Sequence, residues 1–357
     1  MNKPFISLIM PNFNNEHVLD LFFSKFIENN TYDNYEFIVT DDGSTDNSLS
    51  ILKKWQKSNL IKNMTIFAER HKGIISALNK CLYASKGDFI IRLDGDATIE
   101  TKSFIEKFLE FYYIDPEKIG VITTKVITDQ GKLHAIGRNV ISPNGLHDRG
   151  YIIKRTNGNI SAVLDEKLNE YINIPAECDT ALGVCTFSDK KTALKIGGFD
   201  YRYPLYMEDD DFYLGYRLYN KKCFYLPDIE ICHRFSLRGS RKPKDTKIQK
   251  LKKFLTNILR TIYICLILND VPVCVNLKPV KSKNSWKREI WNKDIKVWYK
   301  KWGFDCINPD MEYIKDRYKN TELIWNYNKT LKQKGIDIVN KYIQIKSEKY
   351  NDNNYTR

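Results

Sequence analysis

The sequence predicts an α/β fold in which a Rossmann-like, mostly parallel sheet is flanked by helices and followed by a basic helical extension. Strand and helix patterns alternate through the first hundred residues with short loops between them, as in parallel sheets. Several of the predicted strands end in polar or acidic residues, at the edge where such sheets bind ligands. The excess of lysine and arginine lies entirely in the last third of the chain.

Each predicted strand is a short apolar run, and each predicted helix has apolar residues three or four positions apart. The strands are Ile6–Met10, Tyr35–Thr40, Met64–Phe67, Phe89–Ile91, Ile119–Ile127, Ala181–Ser188 and Ile229–Cys232. The helices are Val18–Ile27, one through Leu49 and Trp55, Ile74–Ala84, Phe104–Tyr113, one opening at Glu208, and a basic one from Leu251 to Leu266. The polar tail from Ser347 is predicted to be disordered. We expect a nucleotide-binding half (1–100), an acceptor-binding and catalytic half (101–243) and the extension (244–357).

The composition is that of a soluble globular protein. The chain has 357 residues, 42% of them apolar and 28% charged, which is enough for two lobes with a substantial core. No stretch reaches the roughly 18 uncharged apolar residues that a membrane span needs, and the N-terminus does not resemble a signal peptide. The eight cysteines form no Cys-x-x-Cys pair, so we expect reduced core thiols and a cytoplasmic protein.

The net charge of +13 is unevenly distributed. Residues 241–357 contain 27 Lys and Arg against 12 Asp and Glu, and the rest of the chain is close to neutral. A lysine-rich solvated surface explains this distribution. The alternative is contact, through residues 244–357, with the inner face of a membrane or with an anionic polymer. Nucleic acid is not an expected partner, because no recognised binding motif accompanies the charge.

Acidic residues follow two of the predicted strands. In Asp94-Gly95-Asp96 the carboxylates are two positions apart, so on an extended chain they point the same way. Such a pair suits Mn²⁺ or Mg²⁺ bound to a substrate diphosphate, although the same residues also form ordinary turns. Asp42, which precedes Gly43-Ser44, can accept a hydrogen bond from a uracil-type base.

Two later segments have both a structural and a functional interpretation. The carboxylates of Glu208–Asp211 can cap a helix, or one of them can serve as a general base. Four carboxylates in a row repel one another, which favours a raised pKa for at least one. Arg238 and Arg241 lie in a basic segment broken by Gly and Pro, which is either a linker or a lid that closes on the diphosphate.

Taken in order, these segments resemble the family 2 glycosyltransferases, which have the GT-A fold. The resemblance covers about residues 4–235 and implies a metal-dependent, inverting transfer of a sugar. The donor would be a nucleotide sugar, expected to be a UDP-sugar, and the acceptor a hydroxyl of a glycan, a lipid-linked glycan or a protein. The matching segments are Pro11–Asn15, Asp41–Asp46, His71–Asn79, Gly87-Asp88, Leu93–Asp96, Gly197–Asp200 and Glu208-Asp209.

The resemblance also implies roles for single residues, in three groups. The nucleoside pocket would be lined by Pro11, Asn14 and Asp42, with Lys72, Gly73 and Asn79 near the nucleotide and its diphosphate. Asp96 would bind the metal, with Asp94 on the ribose or the metal and His233 as a third ligand. Asp209 would be the base with Glu208 beside it, and Asp211 is a less favoured alternative.

Three alternatives remain open from the sequence. A GT-A glycosyltransferase can also retain the configuration of the sugar. A sugar nucleotidyltransferase would have a glycine-rich basic loop after its first strand, where this chain has Asn12-Phe13-Asn14-Asn15. A non-catalytic sugar-nucleotide-binding module is disfavoured, because the acidic residues expected for catalysis are all present.

Overall fold

One large mixed sheet with helices on both faces forms the centre of the protein. The computed structural model describes residues 3–140, 147–148, 151–156, 159–164, 172–203, 205–234, 285–306, 311–317 and 336–355. Arg238 and Arg241, and the helix predicted from Leu251 to Leu266, lie outside these residues. Within them, no helix is both long and apolar enough to cross a bilayer.

Fourteen strands and nine α-helices are numbered here in chain order over the described residues. The strands are β1 Ile6–Asn12, β2 Tyr35–Asp41, β3 Met64–Ala68, β4 Phe89–Leu93, β5 Ala97–Ile99, β6 Ile119–Thr128, β7 Leu133–Ala135, β8 Arg138–Asn139, β9 His147–Asp148, β10 Tyr151–Thr156, β11 Asn159–Leu164, β12 Ala176–Cys178, β13 Cys185–Asp189 and β14 Lys222–His233. The helices are α1 Glu16–Asn29, α2 Ser48–Lys57, α3 Ile74–Ala84, α4 Phe104–Tyr112, α5 Lys190–Ile196, α6 Glu208–Gly215, α7 Ser285–Trp302, α8 Met311–Arg317 and α9 Ile336–Tyr355. A short 3₁₀ helix, Tyr216–Tyr219, follows α6.

The topology of the sheet brings several strand ends to one edge. The order is β12-β14-β6-β13-β4-β1-β2-β3, with β5 paired to β14 and β7 to β6. Strands β4, β1, β2 and β3 are parallel, and β13 is antiparallel to both β4 and β6. Because β14 is parallel to β6, it runs in the same direction as β4. The carboxyl end of β14 therefore lies at the same edge as those of β1, β2 and β4.

Apolar side chains pack on both faces of this sheet. β1 and β2 are buried along their whole length, as expected for strands covered on both sides. One core contains residues of α1 and α4 together with Tyr342 of α9, whose ring contacts Phe111 with centroids 5.0 Å apart. The other contains residues of α3 and α6 together with Trp298 of α7. Helices from the basic extension thus pack on both faces of the sheet.

The predicted fold class is confirmed, with three differences in detail. The strand predicted from Ala181 begins only at Cys185, because residues 181–184 form a loop that carries Gly183 to the acidic helix α6. The tail predicted to be disordered from Ser347 is helical to Tyr355, as a continuation of α9. The sheet contains antiparallel pairs as well as parallel ones. The six cysteines among the described residues are buried free thiols, in agreement with the prediction.

Candidate functional site

A cleft of about 480 Å³ opens at the sheet edge where β1, β2 and β4 end. The loops after these strands bring together most of the residues that were predicted to bind a nucleotide. Because parallel strands end at a common edge, residues far apart in sequence become neighbours here. The predicted residues that line this cleft, called the donor cleft below, are Pro11, Asn14, Asp42, Gly73, Asp94 and Asp96.

Asp42 is fixed at the end of β2 by two backbone amides. Its carboxylate oxygens accept hydrogen bonds from the N–H groups of Lys72 (2.7 Å) and Gly73 (2.9 Å), just before α3 begins. The imidazole of His71 lies 2.8 Å from the same carboxylate and stacks on the ring of Phe13, with centroids 4.5 Å apart. A carboxylate at a helix N-terminus is stabilised by these N–H groups and by the helix dipole. The rigid arrangement places an acidic edge on the wall of the donor cleft.

The turn between β4 and β5 holds its two carboxylates in different surroundings. Oδ1 of Asp94 lies 3.2 Å from both Nε and Nη2 of the buried Arg92. Oδ1 of Asp96 lies 3.2 Å from Nε2 of His233, at the end of β14. A side chain on Gly95 would begin 2.8 Å from Nδ2 of Asn15 and 3.1 Å from Oδ1 of Asn12, so these two side chains would have to shift to admit it.

Asp96 and His233 have the chemistry of metal ligands, and the fold places them side by side as predicted. Carboxylate and imidazole are both compatible with Mn²⁺. Within the described residues, however, no group of three or more His, Cys, Asp or Glu side chains is arranged to hold an ion. Asp96 and His233 could supply two ligands to such an ion.

A second cleft, of about 470 Å³, adjoins the first and shares Asp94 with it. It is lined by Glu208 and Asp209 of α6, by His233, and by Arg138 of β8. We call it the acceptor cleft. The two clefts share the lining residues Ile74, Asp94 and Leu205. The predicted metal ligands are divided between them, with Asp96 in the donor cleft and His233 beside the predicted base in the acceptor cleft.

The carboxylates of α6 that reach the acceptor cleft are buried. Oδ2 of Asp209 accepts a hydrogen bond from the N–H of Gly183 (3.0 Å). Burial and the charge of Asp209 raise the pKa of Glu208 well above its usual range, and Arg92, whose Nη2 is 3.8 Å away, opposes this rise. The raised pKa that the run of four carboxylates predicted for at least one of them is thus present at Glu208.

Asp211, the less favoured candidate for the base, points away from the acceptor cleft. Its carboxylate bonds to Lys301 Nζ (2.6 Å) and Trp302 Nε1 (2.8 Å) of α7 and to the hydroxyl of Tyr203 (3.1 Å). Residues two apart on a helix project about 200° from each other, so Asp209 and Asp211 cannot serve the same cleft. Asp211 is accordingly not among the residues that line the acceptor cleft.

Two residues predicted near the diphosphate have other positions. The side chain of Lys72 is largely exposed, with Nζ 3.3 Å from Glu69, and only its backbone N–H takes part in the site. Asn79 is fully buried in α3, where its amide donates to the carbonyl of Phe199 (2.7 Å) and accepts from its N–H (2.8 Å). Asn79 thus anchors the loop at Gly197–Asp200 and does not line the donor cleft. The structure therefore does not place Asn79 beside the nucleotide and its diphosphate, as the resemblance implied.

Sequence reasoning missed several residues of the two clefts. Arg92, buried between Asp94 and Glu208, stands out in the sequence as a charge inside the apolar run of β4. Arg138, whose Nη1 is 3.0 Å from Asp210, had no such signal. Ile290 and Trp291 of α7 line the donor and acceptor clefts respectively, from a part of the chain where no motif was found.

A fixed acidic pocket, an Asp–His pair and a buried carboxylate pair in an adjoining cleft thus lie at one edge of the sheet. In comparison with known proteins, residues 7–165 match the sequence model of the family described as glycosyl transferase family 2. This part of the chain is therefore similar to family 2 glycosyltransferases.

Several curated relatives and solved structures that are similar to the chain are named as glycosyltransferases. An uncharacterized glycosyltransferase of Haemophilus influenzae is 38% identical over 111 residues, which are 31% of this chain and 33% of that protein. A UDP-Glc:alpha-D-GlcNAc-diphosphoundecaprenol beta-1,3-glucosyltransferase of Escherichia coli is 36% identical over 96 residues, 27% of this chain and 36% of that protein. The chain thus covers about a third of the length of these relatives.

Among solved structures, a mannosyltransferase from Pyrobaculum calidifontis, in complex with GDP-Man and Mn²⁺, matches 82% of this chain and 70% of its own. Its TM-score is 0.48 and its sequence identity 14%.

Proposed function

We propose that this protein is an inverting, metal-dependent glycosyltransferase that moves a sugar from a UDP-sugar to an acceptor hydroxyl. The supporting observation is that two clefts meet at Asp94, one lined by strand-end residues and the other by a buried carboxylate pair. A nucleotide sugar in the donor cleft can place its sugar at this junction, within reach of a hydroxyl in the acceptor cleft. UDP is the proposed nucleotide because a relative carries UDP-Glc in its name.

In the donor cleft, Pro11, Asn14 and Asp42 are proposed to bind the nucleoside. Asp96 and His233, with Asp94 beside them, would hold Mn²⁺ or Mg²⁺. The ion would offset the negative charge that grows on the leaving diphosphate. Nε and Nη2 of Arg92 contact the carboxylate of Asp94 and hold it at the junction of the clefts.

In the acceptor cleft, Asp209 is the proposed general base. The acceptor oxygen forms a bond to the anomeric carbon as the bond from that carbon to the diphosphate oxygen breaks. The electron pair leaves with the diphosphate, and the hydroxyl proton passes to Asp209. A single displacement of this kind inverts the configuration.

The proposed acceptor is a hydroxyl of a glycan, a lipid-linked glycan or a protein. The name of the Escherichia coli relative specifies a sugar linked to diphosphoundecaprenol, which supports a lipid-linked acceptor. The basic segment 244–357 would then bring the acceptor cleft to the membrane surface through its positive charge. Flotation with anionic liposomes at low and high salt tests this, because binding that does not respond to salt contradicts it.

The variant Asp209→Asn tests the assignment of the base. We expect UDP, added with Mn²⁺, to bind within twofold of wild type, and UDP release from a panel of UDP-sugars to fall by about 10²–10⁴-fold. Asp33→Asn, an exposed residue outside both clefts, is the matched control and should keep wild-type turnover. Turnover near the wild-type rate in Asp209→Asn would remove Asp209 from this role.

A further inference from the structure

Helix α7, which belongs to the basic extension, packs against the acidic helix α6 on the side that carries Asp211. Lys301 Nζ is 2.6 Å from Oδ2 of Asp211, and Trp302 Nε1 donates to Oδ1 of the same carboxylate at 2.8 Å. Lys301 also lies 3.4 Å from Asp200, which precedes α6. Asp211 and Trp302 are both almost completely buried. The extension therefore makes a buried, charged contact with the helix that carries the proposed base.

Further contacts hold the two residues immediately before α6. Oδ2 of Asp294 accepts a hydrogen bond from the N–H of Tyr206 (3.0 Å). The thiol of Cys306 lies 3.9 Å from the sulfur of Met207, and both residues are buried. Residues 294–306 thus contact α6 and its N-terminal approach at three successive points.

The acidic helix has little intrinsic stability of its own. It is eight residues long, and its first turn is made of four carboxylates. Met207, at its N-cap, is left-handed (φ 63°) and provides no side-chain cap. Isolated helices of this length do not persist in water, so tertiary contacts must fix its position.

The two faces of α6 have different contacts. On one face Asp209 meets the acceptor cleft and the N–H of Gly183. On the opposite face Asp211 meets Lys301 and Trp302. A rotation or shift of α6 that relaxes the second contact moves the carboxylate of Asp209. Displacements of about 1 Å at a reacting group cost of the order of 10²-fold in rate.

We propose that Lys301 and Trp302 are positioning residues that act through Asp211 to hold Asp209 at the acceptor cleft. The catalytic consequence rests on the proposed function, whereas the mechanical link between α7 and α6 does not. Burial raises the pKa of Asp211, and the charge of Lys301 and the hydrogen bond that it donates oppose this rise. The same docking places Ile290 and Trp291 on the walls of the two clefts.

Three variants of the full chain test the link. Lys301→Met removes the charge, Trp302→Phe removes one N–H donor while keeping an aromatic ring, and Lys301→Arg should restore the contact. Lys300→Met, which removes an exposed charge one residue away, is the matched control. Hydrogen exchange of amides in residues 205–216 should become at least tenfold faster in Lys301→Met and Trp302→Phe, and remain near wild type in Lys301→Arg and the control.

Kinetics then separate positioning from simple folding effects. In Trp302→Phe, which removes the least, kcat for UDP release should fall about tenfold or more with the Kd for UDP within twofold. Unchanged exchange in residues 205–216 in both variants would overturn the link, whether or not the protein transfers sugar. Faster exchange with unchanged kcat would overturn the positioning role. Absence of UDP release from the wild type would refute the proposed function and leave the exchange result to decide the link.

Discussion

A single added methyl group at Gly183 is expected to disturb both clefts. A Cβ on Gly183 would lie far inside contact distance of Nη1 and Cζ of Arg92, and 2.7 Å from its Nη2. Arg92 is only 3% exposed and is held by Asp94 on one side and the ring of Phe199 on the other. The guanidinium cannot swing into solvent, so Gly183→Ala must displace either Arg92 or the loop.

The structure allows an estimate of the size of the effect. Overpacking of a buried site costs about 1–3 kcal/mol. If the loop moves instead, the hydrogen bond from the N–H of Gly183 to Asp209 is weakened, and hydrogen bonds to charged groups contribute about 1.5–3 kcal/mol. Whichever of the two moves, Arg92 or the loop, we expect the free energy of unfolding to fall by about 2 kcal/mol. Because either movement shifts Asp94 or Asp209, UDP release should fall by roughly tenfold or more.

Urea unfolding and UDP release, measured on the same samples, provide the assay. Gly131→Ala is the control: Gly131, unlike Gly183, has a positive φ (72°), and an added Cβ there meets nothing within 4 Å. It should lose about 1–2 kcal/mol of stability and keep its turnover. Wild-type turnover and stability in Gly183→Ala would refute the packing of Arg92 described above.

Two further predictions concern the carboxylates. Asp96→Ala should abolish the increase in UDP affinity that Mn²⁺ provides, measured by calorimetry with and without the ion, and an unchanged increase would contradict the proposed ligand. The pKa of Glu208 is higher in the folded protein than in the unfolded chain, where it is about 4.3. The free energy of unfolding therefore falls as the pH rises from about 4.3 toward the pKa that Glu208 has in the folded protein. Glu208→Gln should therefore flatten the fall in unfolding free energy between pH 5 and 8, and parallel pH profiles for the two proteins would contradict this.

Much of the fold could be predicted because local pattern and final structure agree. The apolar runs of β1, β2 and β4 are buried on both faces, and α3 has the predicted bounds Ile74–Ala84. The positions of Asp42, Asp94 and Asp96 followed from their place at strand ends, since parallel strands bring such ends together. His233 joined them because β14 runs in the same direction as β4.

The remaining features depend on packing between distant segments, which no local pattern encodes. Asn79 pairs with the backbone of Phe199, 120 residues away, and so was assigned to the wrong surroundings. The orientation of Asp211 is set by Lys301 and Trp302, about 90 residues away. The sequence places four carboxylates in a row, and contacts with distant segments, such as α7 at Asp211 and Gly183 at Asp209, give them different surroundings.

The most direct test of the proposed function is product analysis of the wild-type protein with Mn²⁺ and a panel of UDP-sugars. Without an acceptor, water takes the place of the hydroxyl, and the released sugar can be followed by NMR as it forms. We predict release of UDP together with a sugar of inverted anomeric configuration. If no donor in the panel releases UDP, the proposed transferase function is contradicted. A sugar released with retained configuration would contradict the direct displacement assigned to Asp209.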